Sequence, residues 1–513
     1  MDILFVNPGN SKKIYQDLSL NLSAIEPPTW ALLLAEATRT KGFETGIVDV
    51  NAENLTIEAA TKRIINLNPK LVCFVVYGQN VNAGTASMSG AVELAENLKS
   101  TKPNLVVGII GSYVQALPKK TLEDEKCFDL VFTNEGVLSL LELLQQPAFT
   151  HNHLKNVSGL AIRDFGGGGD GIVFTAPGKI LKSEQLDEYL PGYAWDLLPF
   201  KDRPLDLYRS PLWHAEYQEE FRTPYAAIQT SLGCNFGCSF CMINIINRDD
   251  NDEIGVASKY KGMRFWSTAH NLKQFDILNK LGVSTIRIVD EMFLLYKKHY
   301  VPLCTELASR SYSKNLKMWS YSRIDTVTDP EFLKIVRAAG IKWLALGIES
   351  ATKSVRLEVS KGKFEDVDIE KVIDHVHSAG IEVMANYIAG LPGETKDSMK
   401  KTMELAKKLN TAGWNMYAAM ALPGSELYKF ALERGYSLPN SYSGFSFHSE
   451  DTLPLPTTEL TAAEILAFRD QAFLDYHTDE KFLNTISNKF GEKAKNSILD
   501  MTKVKLTRKI LQN

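Results

Sequence analysis

Three cysteines stand within eight residues in the run SLGCNFGCSFCMIN, at Cys234, Cys238 and Cys241, and they are half of the six in the chain. Thiolates are soft ligands, suited to zinc or to an iron–sulfur cluster. A structural zinc site closes with four ligands and commonly pairs two knuckles. The sequence offers neither a second knuckle nor a histidine near enough to complete a compact site. A [4Fe–4S] cluster held by three thiolates leaves one iron open to an external ligand, so this motif points to a cluster with work to do at that iron. Gly233 and Gly237 each precede a cysteine and free the backbone to wrap closely. Phe240 places an aromatic ring just before the third cysteine.

The motif directly follows an apolar strand pattern, YAAIQTS (225–231). Five more such patterns follow: TIRIVD (285–290), KMWSYS (317–322), WLALGIES (343–350), EVMANYIAG (382–390) and WNMYAAM (414–420). Helical periodicity lies between them, as in NLKQFDILNKLG, DPEFLKIVRAAG and DIEKVIDHVHSAG. Six successive βα units predict a partial (β/α)6 barrel over residues 223–434, with the cysteines at the carboxyl face where barrel sites are built. Residues 1–147 also alternate strand and helix, with strands at DILFVN, ETGIVDV, KLVCFVVYG, NLVVGIIG and FDLVFTNEG, and predict a doubly wound, Rossmann-like α/β domain. Residues 148–222 read as a linker with a hairpin, followed by an aromatic segment that carries Tyr193, Trp195, Tyr208 and Trp213. Residues 435–513 lose the strand signal and predict a mostly helical cap over the barrel mouth, with His448 in its first part.

The chain of 513 residues is long enough for roughly two or three domains. Its 44% hydrophobic and 23% charged content is that of an ordinary globular protein. A net charge of −4 argues against nucleic acid and gives no polybasic membrane signal. No apolar run reaches the ~18 residues of a membrane span. The start MDILFVNPGN does not read as a secretory signal, so a reducing, cytoplasmic location is expected. Cys73, Cys127 and Cys304 stand apart in apolar surroundings and are expected to be buried hydrophobes.

Taken with the barrel pattern, the cysteine motif resembles that of the radical S-adenosylmethionine (SAM) superfamily, over about 210 residues. The resemblance implies that Cys234, Cys238 and Cys241 hold a [4Fe–4S] cluster whose open iron chelates SAM, with Phe240 near the adenine. VDEMF offers Asp290 and Glu291 to the methionine amine. SYSRID offers Ser322 and Arg323, the arginine pairing with the SAM carboxylate. LGIESAT offers Glu349 to the ribose hydroxyls, and YIAGLPGET brings Gly390 beside the adenine.

The first domain resembles the cobalamin-binding module of cobalamin-dependent (class B) radical SAM enzymes, in NPGN, VVYGQNVNAGT, IIGSYVQALPKKTL and NEGV. The resemblance implies a corrin at the carboxyl ends of the third to fifth strands, against Tyr77, Gly78, Gln79 and Asn80, then Gly111 and Ser112, then Glu135. The module departs from the D-x-H-x-x-G pattern that supplies a histidine to cobalt, since the first histidine is His151. The implied activity is a C-methyltransferase that generates a 5′-deoxyadenosyl radical and methylates an unactivated carbon of a small-molecule substrate through methylcobalamin. An external flavodoxin- or ferredoxin-type electron donor is implied too. A non-methylating oxidative cyclase or rearrangement enzyme of the same group is the alternative, and a non-catalytic iron–sulfur or zinc scaffold is the bland one.

Overall fold

The computed structural model describes residues 1–9, 11–78, 80–163, 171–359 and 367–512. Gln79 lies outside them. The first layer holds β1 (Ile3–Asn7), β2 (Thr45–Asp49), β3 (Leu71–Val76), β4 (Val106–Gly111), β5 (Leu130–Phe132), β6 (Leu160–Arg163) and β7 (Ile172–Phe174), in the order β2-β1-β3-β4-β5-β6-β7. The first five strands are parallel, as their continuous apolar runs require when helices cover both faces. β3, Leu-Val-Cys-Phe-Val-Val, is buried at every residue. The 148–222 segment does contain a hairpin, and that hairpin adds β6 and β7 antiparallel to the edge of this sheet.

The second layer is a wholly parallel, six-stranded open barrel sheet in the order β15-β14-β13-β12-β11-β8. Its strands are β8 (Tyr225–Ile228), β11 (Thr285–Ile288), β12 (Lys317–Arg323), β13 (Ile341–Glu349), β14 (Glu382–Ala389) and β15 (Gly413–Ala418). All six anticipated strands form, with one amendment. The stretch 225–231 divides into β8 and β9 (Ser231–Cys234), and β9 leaves the barrel to pair antiparallel with β10 (Gly262–Phe265). Side chains take over the backbone at the break. The Tyr193 hydroxyl accepts the Gln229 N–H at 2.8 Å, and Asp290 accepts the Thr230 N–H at 2.6 Å. No backbone ladder is then needed at Gln229 and Thr230.

Trp213 of the aromatic segment after the hairpin packs where β12 and β13 begin. The Trp213 ring lies 4.9 Å from Trp319 and 5.2 Å from Trp343. After an irregular stretch from Gly435 to Thr461, the chain ends in three helices, at Ala462–His477, Glu480–Phe490 and Glu492–Met501. The first of these helices covers the free edge of β15: Tyr476 stacks on Trp414 at 5.2 Å, and Arg469 donates to the Met416 carbonyl at 2.9 Å. Cys73, Cys127 and Cys304 are buried and free. Among the described residues no helix is long and apolar enough to cross a membrane.

Candidate functional site

β9 delivers Cys234 from its last position, and the loop beyond it is clamped by one side chain. Asn244 accepts the Cys234 N–H at 2.7 Å through Oδ1 and donates to the Phe236 carbonyl at 3.1 Å through Nδ2. Gly233 has φ +81°, and a Cβ there would stand 2.3 Å from the Gly262 carbonyl oxygen, so the approach of β9 to β10 depends on glycine. At Gly237 a Cβ would meet the flexible Lys261 side chain at 3.1 Å and Ser258 Cβ at an ordinary 3.5 Å. Ser239 ties the loop to two helices, its N–H donating to the Val359 carbonyl and its own carbonyl accepting from Leu427, both at 2.9 Å. Phe240 packs between the apolar patches on either side.

The three cysteines line one cavity of about 960 Å³, at the upper end of the range for ligand pockets. Burial pushes the Cys234 thiol up to about 12 and raises Cys241 well above the ordinary value. It pushes Cys238 up to about 11, with Arg323 beside it pulling back. Thiolates here therefore need a cation to hold them ionised, which an iron cluster supplies. Among the described residues no three Cys, His, Asp or Glu side chains close on a point suited to a single ion.

Glu291, Ser322, Arg323 and Glu349 line the same cavity. Ser322 Oγ is buried without a hydrogen-bond partner, as expected of a group that waits for a ligand. Arg323 lies 3.7 Å over the Phe236 ring, and its Nε donates to Asp325 at 2.8 Å. Glu349 ends β13 in the left-handed region, φ +65°, next to a register shift against β14, a strained backbone of the kind concentrated at ligand sites. Burial pushes Glu349 up to about 7 against the pull of Arg323, and Glu291 up to about 7 against Arg287.

Two of the residues expected to touch SAM are placed elsewhere. Asp290 does not line the cavity. It accepts the Thr230 hydroxyl and the Ser231 hydroxyl, both at 2.6 Å, as well as the Thr230 N–H, and so fixes the start of β9. Gly390 lies under the cap helix, where a Cβ would meet Ile465 at 2.7 Å. The turn after it is held by Glu394, which accepts the Gly390 N–H at 2.8 Å.

The first domain meets the cavity at the carboxyl ends of β1 (Asn7, Pro8, Gly9) and β3 (Gly78, Asn80). With strand order 2-1-3-4-5, the gap between β1 and β3 is the topological switch point, where doubly wound sheets bind ligands. The remaining expected residues stand back from it. Tyr77 is buried against Trp30, and its hydroxyl accepts from Gln115 at 2.6 Å. Gly111 packs on Val76 of β3, and Ser112 seats the helix Gly84–Thr101, where a Cβ on Gly84 would lie 2.1 Å from Ser112 Oγ. Glu135 joins domains, accepting the Leu181 N–H at 2.6 Å and pairing with Arg264 at 2.6 Å.

Apart from His448 of the cap, the groups that cross between layers were not among the expected residues. Glu26, from the loop before the helix Thr29–Thr40, pairs with Arg287 of β11 at 2.5 Å inside the cavity wall. Asn82 reaches the cysteine loop from the β3 side. Tyr15, Trp319, Tyr321, Tyr417 and Phe447 form an aromatic wall, closed by His448 of the cap, whose ring lies 5.5 Å from Tyr15. A local motif scan carries no signal for such long-range pairs.

Residues 228–406 match the Radical SAM superfamily. An uncharacterized methyltransferase of Pyrococcus horikoshii is 24% identical over 487 residues, 94% of either chain. The anaerobic magnesium-protoporphyrin IX monomethyl ester cyclase of Cereibacter sphaeroides is 23% identical across 81% of this chain and 62% of its own length. Among solved structures, the radical SAM methyltransferase TsrM of Kitasatospora setae, with cobalamin and a [4Fe-4S] cluster bound, aligns over 98% of this chain and 99% of its own. The TM-score is 0.65 at 15% identity, a likeness of fold.

Proposed function

We propose that this chain, whose residues 228–406 match the Radical SAM superfamily and whose two layers share the fold of a cobalamin-bound radical SAM methyltransferase, is a C-methyltransferase acting on an unactivated carbon of a small molecule. One observation carries the reading: the three cysteines and the β1/β3 switch point of the first domain open into the same cavity. A cluster ligand set and a second cofactor site thus face one substrate space.

When bound, the cluster with SAM supplies a hydrogen-abstracting radical and methylcobalamin supplies a methyl group. The chain's own residues hold and orient these groups. Cys234, Cys238 and Cys241 are the cluster ligands. Arg323 and Ser322 take the carboxylate end of SAM, Glu291 its amine and Glu349 its ribose hydroxyls. Gly78, Asn80 and the Asn7–Gly9 turn border the corrin. The cap and the aromatic wall exclude water that would quench a radical, and the flat walls of Trp319, Tyr321 and Tyr417 suit a substrate with a planar or apolar body. An external one-electron donor of flavodoxin or ferredoxin type, in a reducing cytoplasmic setting, completes the requirement.

The cyclase relative favours one second reading, a non-methylating oxidation on the same machinery. Turnover of SAM carrying a labelled methyl group, with the product examined for label, separates the two. Label transferred to carbon supports the methyltransferase. 5′-Deoxyadenosine formed with substrate oxidised and unlabelled selects the cyclase-type reading.

A further inference from the structure

The three cysteines are not equivalent in what faces them. Cys234 Sγ accepts the Phe236 N–H at 3.4 Å, from within its own loop. Cys238 has Arg323 of the barrel beside it. Cys241 is met from the other domain: Asn82 Nδ2 lies 3.7 Å from Cys241 Sγ, within range of an N–H···S hydrogen bond, while Asn82 Oδ1 accepts the Met242 N–H at 2.9 Å. The second bond settles the first. An amide turned the other way would set its NH2 against the Met242 N–H and its oxygen against sulfur, so the donor end must face Cys241.

Asn82 is itself held in place. It sits in the short helical turn Val81–Ala83 that leaves β3, and Asn80 caps that turn by accepting the Ala83 N–H at 3.1 Å. Asn80, Asn82 and Ala83 all line the cavity. The turn that borders the switch-point site of the first domain therefore also contacts a cysteine of the second.

We propose that Asn82 is a positioning residue that tunes the cluster's reduction equilibrium from the first domain. Its N–H donates to the Cys241 thiolate and draws charge from that sulfur, which favours the cluster state that holds one more electron. The inference rests on the reading of the three cysteines as cluster ligands. It goes further in making the β3 turn a coupling element, since any ligand that shifts the turn also shifts a donor on a cluster sulfur.

The test uses the full chain with its cluster reconstituted without oxygen. An EPR-monitored potentiometric titration with dithionite as electron source measures the potential. Iron is counted on the same samples. Asn82→Asp keeps the acceptor for Met242 but replaces the donor with negative charge. It should disfavour reduction by roughly tenfold, a potential lower by about 59 mV for one electron. Asn82→Ala should shift it the same way by roughly threefold, and Asn82→Gln should recover part of the loss. Variants that retain the parent's iron and the parent's potential overturn the assignment. A measurement on the parent covers the case in which variants lose their cluster: protein labelled with 15N-asparagine should show hyperfine coupling from a 15N nucleus to the reduced cluster. Absence of that coupling overturns the assignment as well. A parent that binds no iron sinks the cluster reading itself, a distinguishable failure.

Discussion

Replacing Gly233 with alanine tests whether the cysteine loop depends on the close meeting of β9 and β10. Gly233 is at φ +81°, where an L-residue costs roughly 1–2 kcal/mol. The new Cβ would start 2.3 Å from the Gly262 carbonyl oxygen, a backbone atom that can yield only if the two strands part. Parting them weakens the pairing of Gly233 with Met263 and of Cys234 with Gly262, about one hydrogen bond at roughly 1 kcal/mol. The sum is on the order of 3 kcal/mol, or a fall of roughly 3 °C in the thermal midpoint for a chain of 513 residues that melts as one unit. The strain falls on the residue before the first cysteine, so iron retention should suffer more than global stability. Gly237→Ala is the control: its tightest contact is the end of the flexible Lys261 side chain, Cδ at 3.1 Å, and it should keep its iron and its midpoint. The assay is iron per chain after anaerobic reconstitution, with a melting curve on each apo-protein. A Gly233→Ala protein that holds iron like the parent and melts with it would refute the reasoning.

Asp290 and Glu291 are neighbours with separate roles. Asp290→Asn should loosen β9 and reduce iron retention, while Glu291→Gln should keep iron and midpoint but weaken SAM binding roughly tenfold by equilibrium dialysis, and the reverse pattern would contradict the placement. Replacing Glu26 with alanine strips Arg287 of its ion-pair partner at 2.5 Å and leaves it buried against the Trp319 ring and the charge of Glu291, a loss of about 3 kcal/mol in denaturant unfolding, largely recovered in Glu26→Leu/Arg287→Met. Asp49 is pushed up to about 6 by burial, against the donors Ala52, Asn7 and Tyr208. Its folded-state value lies above its unfolded one, so the native state holds the proton more tightly and stability falls as pH rises from about 4 to about 6. Asp49→Asn should flatten that slope in pH-dependent unfolding; an unchanged slope counts against it. Cys238→Ser should stay folded by circular dichroism and lose activity, whereas a scaffold role would unfold it.

The parts of the molecule written locally were legible in the sequence. Apolar runs such as LVCFVV and WLALGI, rich in β-branched and aromatic residues and bounded by turn signals, read as buried parallel strands, and their alternation with helices then points to an α/β layer and a βα barrel. The cysteine spacing was equally local. Pairings between distant residues were not. KLVCFVVYG marks where a strand ends but not which strands will be its neighbours, and only the order β2-β1-β3 reveals that Gly78 and Asn80 face the cavity while Gly111 and Glu135 do not. Asp290 and Glu291 are adjacent carboxylates at a strand end. One turns to β9 and the other to the cavity because Thr230 and Ser231 offer three donors on one side only. Nothing local sets Asn82 apart within VVYGQNVNAGT, or Glu26 in the loop before its helix, and their roles arise from docking one layer on the other.

The most direct test of the account is a metal count on the intact chain, purified without oxygen and supplied with iron, sulfide and hydroxocobalamin. The account predicts about four irons per chain, with absorption from an iron–sulfur cluster, together with about one cobalt retained through gel filtration. Four irons with no cobalt retained would contradict the central claim that the first domain's switch point and the cysteine loop serve two cofactors at one site.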